Sequence, residues 1–454
     1  MLLRFVVSNF LSISDEVEFN MFPGDYRRHK DHIYCTEQID LLKSTAIYGA
    51  NGAGKSNLVK AMNYLHDLVL QGEVQNTNNY CFKLKDECKS LPTKFEIEFK
   101  YGNRYYSYGI SISGSVIQEE WLFEEFPRDG SSEMIFERKA INKGKVSLNL
   151  HDKYTENDKD KLLVEVYEEE ILEPNKPFIH LVHEKEKYKE ITEAYQWFHH
   201  YFYIIHPKSI YQGLVARMIE DKNFKNFANS LLPTLDTGLF ELDVEEVPFE
   251  VYFGEKEQRR AKELLSDLFD EDSRLIVRYD YDNENQIAIT KEEDDSYLVY
   301  KLISRHKATD GKLKKFEIFN ESDGTKRLLD FIPALEMLID DPVTFVIDEI
   351  DRSIHPALLK KLIEQFLKTN TKGQLIFTTH ESNLLDLNLF RQDEIWFAEK
   401  DKTGSTRLYS LSEFKPRYDL DIQKGYLNGR FGAIPFLGNL EDLNWEHAEE
   451  EQTV

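Results

Sequence analysis

A chain of 454 residues carrying 57 Lys and Arg against 82 Asp and Glu has a formal net charge of -25, and as a whole it would repel the phosphate backbone of a nucleic acid. Direct DNA binding is therefore disfavoured as the main activity, leaving only a local basic patch to carry it. The length allows two or three domains, the 41% hydrophobic content suits a globular protein, and no apolar run is long enough to span a membrane.

The opening "MLLRFVVSNFLSI" reads as a strand rather than a signal peptide. The cysteines, Cys35, Cys81 and Cys88, match neither a zinc spacing nor an even disulfide framework, so the cytoplasm is the expected location. "VEFNMF" is a second short strand, and "LLKSTAIYG" is an apolar strand running into "GANGAGKSN", Gly49 to Asn57. That stretch fits G-x-x-x-x-G-K-[ST] in full. Gly49, Gly52 and Gly54 let successive backbone N–H groups turn toward phosphates, with Asn51 and Asn57 in the same binding stretch. Lys55 is placed to reach the β- and γ-phosphates of ATP, and Ser56 to ligate Mg²⁺. A chance glycine turn has no reason to be followed by an amphipathic helix, yet Leu58, Ala61, Met62, Leu65 and Leu68 recur at helical spacing.

Next, "TKFEIEFKYG", "NRYYSYGISISG" and "SVIQEEWLFEEF" alternate apolar and polar residues and break at glycines, as an antiparallel meander does. Gln118 is the nearest candidate for a glutamine that senses the nucleotide-bound metal. Residues 1–150 are thus expected to form a lobe with the phosphate loop and antiparallel strands. Residues 151–270 are expected to be a helical insertion, with "KYKEITEAYQWFHHYFYIIH" and "QRRAKELLSDLF" as its helices. Residues 271–454 return to strands and then alternate strand and helix, which argues for a parallel α/β core.

Three further elements lie in this last part. "TFVIDEIDRSIHP" is an apolar strand ending in Asp348, a Mg²⁺ ligand, and Glu349, placed to orient and deprotonate the attacking water. "LIFTTHESNLL" puts His380 at a strand end, where it can contact the γ-phosphate. In "NESDGTKRLL", Ser322 and Gly324 lie at a helix N-terminus able to bind phosphate through hydrogen bonds and dipole. In isolation that stretch reads better as an ordinary serine cap; its position between the phosphate loop and the Asp348-Glu349 strand end turns the reading to phosphate binding. Pro333 falls inside the helix and is expected to kink it. The Asp280/Asp282 pair reads as the flank of a hairpin turn rather than a metal site. The basic run Lys301 to Lys315 reads as a hairpin with edge lysines, or else as a docking surface for an acidic partner.

In this order the four elements resemble ABC-type ATPases of the SMC and RecF kind. More narrowly, "AIYGANGAGKSN", "EEWLFE", "NESDGTKRLL", "DEIDRSIHP", "QLIFTTHESNLLD", "DEIWFAEKDKTGSTRLYSL" and "GYLNGRFGAIPFLGN" resemble the ATPase subunits of bacterial antiphage and abortive-infection systems, most of all AriA of the PARIS system. Retron-associated and Septu-type ATPases stand close by, and a DNA-repair ATPase is the alternative class. The resemblance implies an ABC-type α/β head with a mixed sheet, an antiparallel β lobe and a helical insertion. It implies a slow ATPase using ATP and Mg²⁺, and a homo-oligomer in which Ser322 and Gly324 of one subunit close on nucleotide held by Lys55 of another. It also implies a separately encoded toxic nuclease, with the TOPRIM type among the candidates, and a phage-encoded trigger protein. The sequence departs from the ABC pattern at Asp323, where a glycine is usual. No long coiled-coil arm and no nuclease domain is expected in this chain.

Overall fold

The computed structural model describes the chain apart from residues 142–144, 236, 255–274, 281–284, 293–295 and 435–454. It divides into two compact units: Leu2–His200 together with the chain from Ile376 onward, and Tyr201–Leu375 with Met1.

The first unit opens with β1 (Leu2–Ser8), β2 (Val17–Asn20), β3 (Ile33–Tyr34), β4 (Leu41–Leu42) and β5 (Ser44–Tyr48), followed by α1 (Lys55–Gln71). The meander follows as β6 (Thr93–Tyr101), β7 (Arg104–Ser113), β8 (Val116–Phe126), β9 (Ser131–Ala140) and β10 (Val146–Leu150). These strands pair antiparallel in the order β10-β9-β8-β7-β6-β1-β2. Along β6 the buried Phe95, Ile97 and Phe99 alternate with Lys94, Glu96 and Glu98, so one face points inward. Tyr64 of α1 stacks on Phe95 with ring centroids 5.2 Å apart.

Three helices follow, α2 (Asp158–Val166), α3 (Phe178–Val182) and α4 (Lys189–His200), and α3 and α4 pack on this sheet. Trp197 of α4 stacks on Phe99 at 4.2 Å. Glu120, from the tryptophan-bearing "EEWLFE", is fully buried. Its carboxylate accepts from the Phe178 and Ile179 N–H groups at 2.7 and 3.1 Å and from the Tyr108 hydroxyl at 3.2 Å, with Arg138 at 3.5 Å. That residue therefore serves the fold, fixing the start of α3.

The second unit holds β11 (Phe202–Ile205), α5 (Leu214–Glu220), α6 (Lys222–Leu231), β12 (Leu239–Pro248), β13 (Leu275–Asp280), β14 (Asn285–Lys291), β15 (Tyr297–Lys307) and β16 (Leu313–Glu317). It ends with α7 (Asp323–Asp340), β17 (Thr344–Ile347) and α8 (Pro356–Lys368). An antiparallel sheet runs β12-β15-β14-β13, with β16 also on β15. β11 lies parallel to β17. The core packs Val215 and Met218 of α5, Phe224 of α6 and Leu329 and Ile332 of α7 against Ala288 and Leu302 of the sheet. Burying each of the larger side chains contributes about 1.5–3 kcal/mol.

The chain from Ile376 onward, which begins within β18 (Gln374–Thr378), closes the first unit with β19 (Ile395–Lys400), β20 (Thr406–Ser410) and α9 (Ile422–Leu427). There the order is β18-β5-β19-β20, with β19 parallel to β5 and antiparallel to β20. The expected α/β fold with a mixed sheet and an antiparallel lobe is the fold observed.

The expected helical insertion needs correction. Residues 151–270 hold α2 to α6 but also the strands β11 and β12, and the boundary between compact units falls inside them, after His200. The stretch expected as one helix ends at His200, and Phe202–Ile205 becomes a strand. Its aromatic and β-branched residues suit a pleat, and β17 offers a parallel edge. "QRRAKELLSDLF" and Asp282 lie outside the described residues, although β13 and β14 do pair on either side of the expected turn. α7 continues through Pro333. The basic run forms the β15–β16 hairpin, where Lys301 meets Glu317 at 2.8 Å, Arg305 meets Asp243 at 2.8 Å and Lys315 meets Glu245 at 2.6 Å. Those cations are answered by acids of their own sheet, which disfavours the docking reading. No described helix is long and apolar enough to cross a membrane.

Candidate functional site

The phosphate loop joins β5 to α1. Gly54 is the N-cap of this 17-residue helix, and no side chain caps it. The loop is held from beneath by residues far away in sequence. Thr406 Oγ1, on β20, donates to the Ala53 carbonyl at 2.9 Å and lies 2.8 Å from Ser12 Oγ, which accepts from Asn57 Nδ2 at 2.7 Å. A Cβ added at Gly54 would lie 2.0 Å from Thr406 Oγ1, and Gly54 has φ +108°. No other residue type meets both conditions. Ser12 and Thr406 were not identified from the sequence; their only signal is that small hydroxyl residues stand where two strands close on the loop.

Lys55 is buried, and its ammonium donates to the Gly49 and Ala50 carbonyls at 2.8 and 3.3 Å and to His380 Nε2 at 3.0 Å. An ammonium can only donate, so Nε2 of His380 carries the lone pair here. His380 follows β18, and the preceding Thr379 donates its N–H to the Ile47 carbonyl of β5 at 3.1 Å. The structure therefore brings His380 to the lysine of the loop. Gly52 (φ +77°) and Asn51 shape the exposed crest of the turn, and Ser56 and Asn57 begin α1. A concave turn of backbone N–H groups, a buried cation and an uncapped helix N-terminus fit a triphosphate. Gln118, on β8, donates to the Val116 carbonyl of its own strand at 3.3 Å.

In the second unit, Asp348 follows β17, is buried, and donates its backbone N–H to the Ile205 carbonyl at 2.9 Å. Glu349 comes next with φ +50°, a left-handed backbone that costs a non-glycine residue about 1–2 kcal/mol. The turn continues through Ser353, also left-handed at φ +61°, to His355, whose Nδ1 caps α8. Backbone strain of this kind collects at functional positions. Each by itself, the Ser56 hydroxyl and the Asp348 carboxylate offer oxygen of the kind that Mg²⁺ takes.

Ser322 is the N-cap of α7, with Oγ accepting from the Thr325 N–H at 3.1 Å, so the capping role weighed against phosphate binding is present. Gly324 sits directly on the turn after Glu349: a Cβ there would lie 2.5 Å from the Ser353 carbonyl. Ser322, Gly324, Ser353 and His355 line one cleft of about 660 Å³. Asp323 lines a different cavity of about 310 Å³ with Lys208, Lys326, Arg327 and Arg352. In that cavity Arg327 donates to the Ser209 and His206 carbonyls at 3.1 and 3.3 Å, and Asp330 accepts from the Tyr211 N–H at 3.1 Å. Burial pushes the Asp330 carboxyl up to about 6, against the pull of that N–H and of Arg327.

A profile of the family described as "AAA domain, putative AbiEii toxin, Type IV TA system" matches residues 44–386. Among solved structures the chain is similar to the SMC head domain from Thermotoga maritima, at 12% identity and a TM-score of 0.36, covering 90% of this chain and 98% of that one. It is also similar to an SmcHead bound to the C-winged helix domain of ScpA, at 13% identity and a TM-score of 0.40, covering 91% and 99%. No curated protein matches the chain.

Proposed function

The chain belongs to this AAA-domain family of ATPases, and from that membership we propose that it is the ATP-hydrolysing sensor and scaffold of an antiphage, abortive-infection system. The observation that carries the ATP reading is the contact of Lys55 with His380 over the phosphate loop. A γ-phosphate arriving there has a cation and a histidine already together. In this reading the loop backbone and Lys55 bind the triphosphate, Ser56 and Asp348 hold Mg²⁺, and Glu349 orients and deprotonates the attacking water. Ser322 and Gly324 present the start of α7 to nucleotide bound by another copy, in the ABC-type manner.

On this account ATP binding sets a closed homo-oligomer that holds a separately encoded toxic nuclease inactive, as the resemblance to AriA of the PARIS system suggests. A phage-encoded protein then shifts the assembly and releases the nuclease. The test is to co-express the chain with the product of the neighbouring gene, purify through a tag on the ATPase, and challenge with phage proteins. Co-purification that is lost on triggering supports the proposal. A neighbour that never associates, with protection by the ATPase alone, overturns it. Strong, salt-sensitive stimulation of ATPase by DNA would instead favour a repair enzyme.

A further inference from the structure

The segment ahead of β3 contains "HKDH", and His29, Asp31 and His32 each bring one ligand atom within 4.8 Å of the others. We propose that these three side chains form a binding site for a divalent transition ion of the zinc class, separate from the Mg²⁺ of the nucleotide site.

The argument rests on how the two imidazoles are held. His32 is buried, and its Nδ1 donates to both carboxylate oxygens of the fully buried Glu394, at 3.0 and 3.1 Å. Glu394 is itself fixed by the Arg391 N–H at 2.7 Å. His29 donates from Nε2 to the Leu387 carbonyl at 3.1 Å. A carbonyl and a carboxylate can only accept, so the protons sit on His29 Nε2 and His32 Nδ1. The lone pairs are left on His29 Nδ1 and His32 Nε2, and the two rings stack with centroids 4.7 Å apart. Metal-ligating histidines are oriented in this way, with the distal N–H given to a carboxylate or a backbone carbonyl.

His29 has φ +52°, ψ +48°, a left-handed backbone that is uncommon for a non-glycine residue. Asp31, exposed on that turn, supplies the carboxylate. Two imidazoles, one carboxylate and a water make a four-coordinate set suited to Zn²⁺. Zinc would place its ligand atoms about 3.3 Å apart, so the cluster must draw in, which the exposed Asp31 can do by rotating. Lys43 is the cation that interacts with Asp31, and Arg28 acts on His29, so the ion competes with two positive neighbours. The bound ion would tie the segment ahead of β3 to the segment that leads from Leu387 into β19.

The test uses the full, nucleotide-free chain in equilibrium dialysis against Zn²⁺, with metal content read by mass spectrometry. Co²⁺ absorption spectra report the coordination geometry. The comparison set is wild type, His29→Ala, Asp31→Asn and a His199→Ala/His200→Ala control that removes an exposed histidine pair. His32 is left in place, because its loss would strand buried Glu394. Wild type is expected to bind about one equivalent more than His29→Ala, and Asp31→Asn to bind at least about tenfold more weakly. Zn²⁺ should raise the Tm of wild type and of the control, and not that of His29→Ala. Equal metal content in wild type and His29→Ala, including none in either, overturns the proposal. So does loss of binding confined to the His199/His200 control.

Discussion

Gly324→Ala separates a packing role from a helix-propensity role at the start of α7. Gly324 is not in a left-handed conformation, so alanine is conformationally allowed there, and in a helix it would ordinarily add up to about 1 kcal/mol of stability. The obstacle is the Ser353 carbonyl, 2.5 Å from the new Cβ. It is a backbone atom and cannot rotate away. Restoring an ordinary contact requires the helix start and the turn after Glu349 to part by about 0.9 Å, and overpacking of this kind costs about 1–3 kcal/mol. The net expectation is a loss of about 1–2 kcal/mol, read as a lower urea midpoint with an unchanged slope. The same movement displaces the turn that carries Glu349, and a misplacement approaching 1 Å at a catalytic group can cost about 100-fold in rate. Turnover should therefore fall steeply while ATP binding, which depends on Lys55, is retained. A variant more stable than wild type with unchanged kcat would refute the reasoning.

Asp330→Asn should change the pH dependence of stability. Because the folded carboxyl titrates at about 6 against an ordinary 3.8, the native state keeps a proton that the unfolded chain loses, and stability falls by up to about 3 kcal/mol as pH rises through that window. The variant should then be more stable than wild type above pH ~6 and lose that advantage toward pH ~4 in urea titrations; parallel profiles would contradict this. Gly54→Ala combines left-handed strain with a 2.0 Å contact to Thr406 and should weaken binding of a fluorescent ATP analogue more than tenfold. Adding Thr406→Gly relieves that contact but removes the Thr406 hydrogen bond to Ala53 and leaves Ser12 Oγ 2.9 Å from the new Cβ, so recovery should be at most partial. A Ser322→Arg subunit and a Lys55→Ala subunit should each be inactive alone yet regain ATPase activity when co-assembled. No recovery in verified mixed oligomers would mean that α7 does not act across subunits.

The phosphate loop was legible because its chemistry is local: glycine spacing, a lysine, and a helix that begins at once. The strand ends at Asp348 and His380 were legible for a similar reason, as polar residues closing apolar runs. What escaped was long-range. Ser12 and Thr406 support the loop from distant segments, and nothing in their own neighbourhoods marks them. The strand Phe202–Ile205 was hidden because its aromatic and apolar residues continue the run of α4 until a partner strand decides the matter. The left-handed φ of Glu349 has no sequence signature, since glutamate seldom adopts it. Glu120, read as part of a family-like motif, proved to be a buried anchor for α3.

The central claim is that this chain hydrolyses ATP with Glu349 positioning the water. Single-turnover hydrolysis by the purified protein, with ATP affinity measured on the same samples, tests it most directly. Wild type should convert bound ATP to ADP and phosphate. Glu349→Gln should bind ATP with nearly unchanged Kd and hydrolyse it about 10²–10⁴-fold more slowly, because the base is lost and Asp348 is kept. Equal hydrolysis by the two proteins would contradict the account.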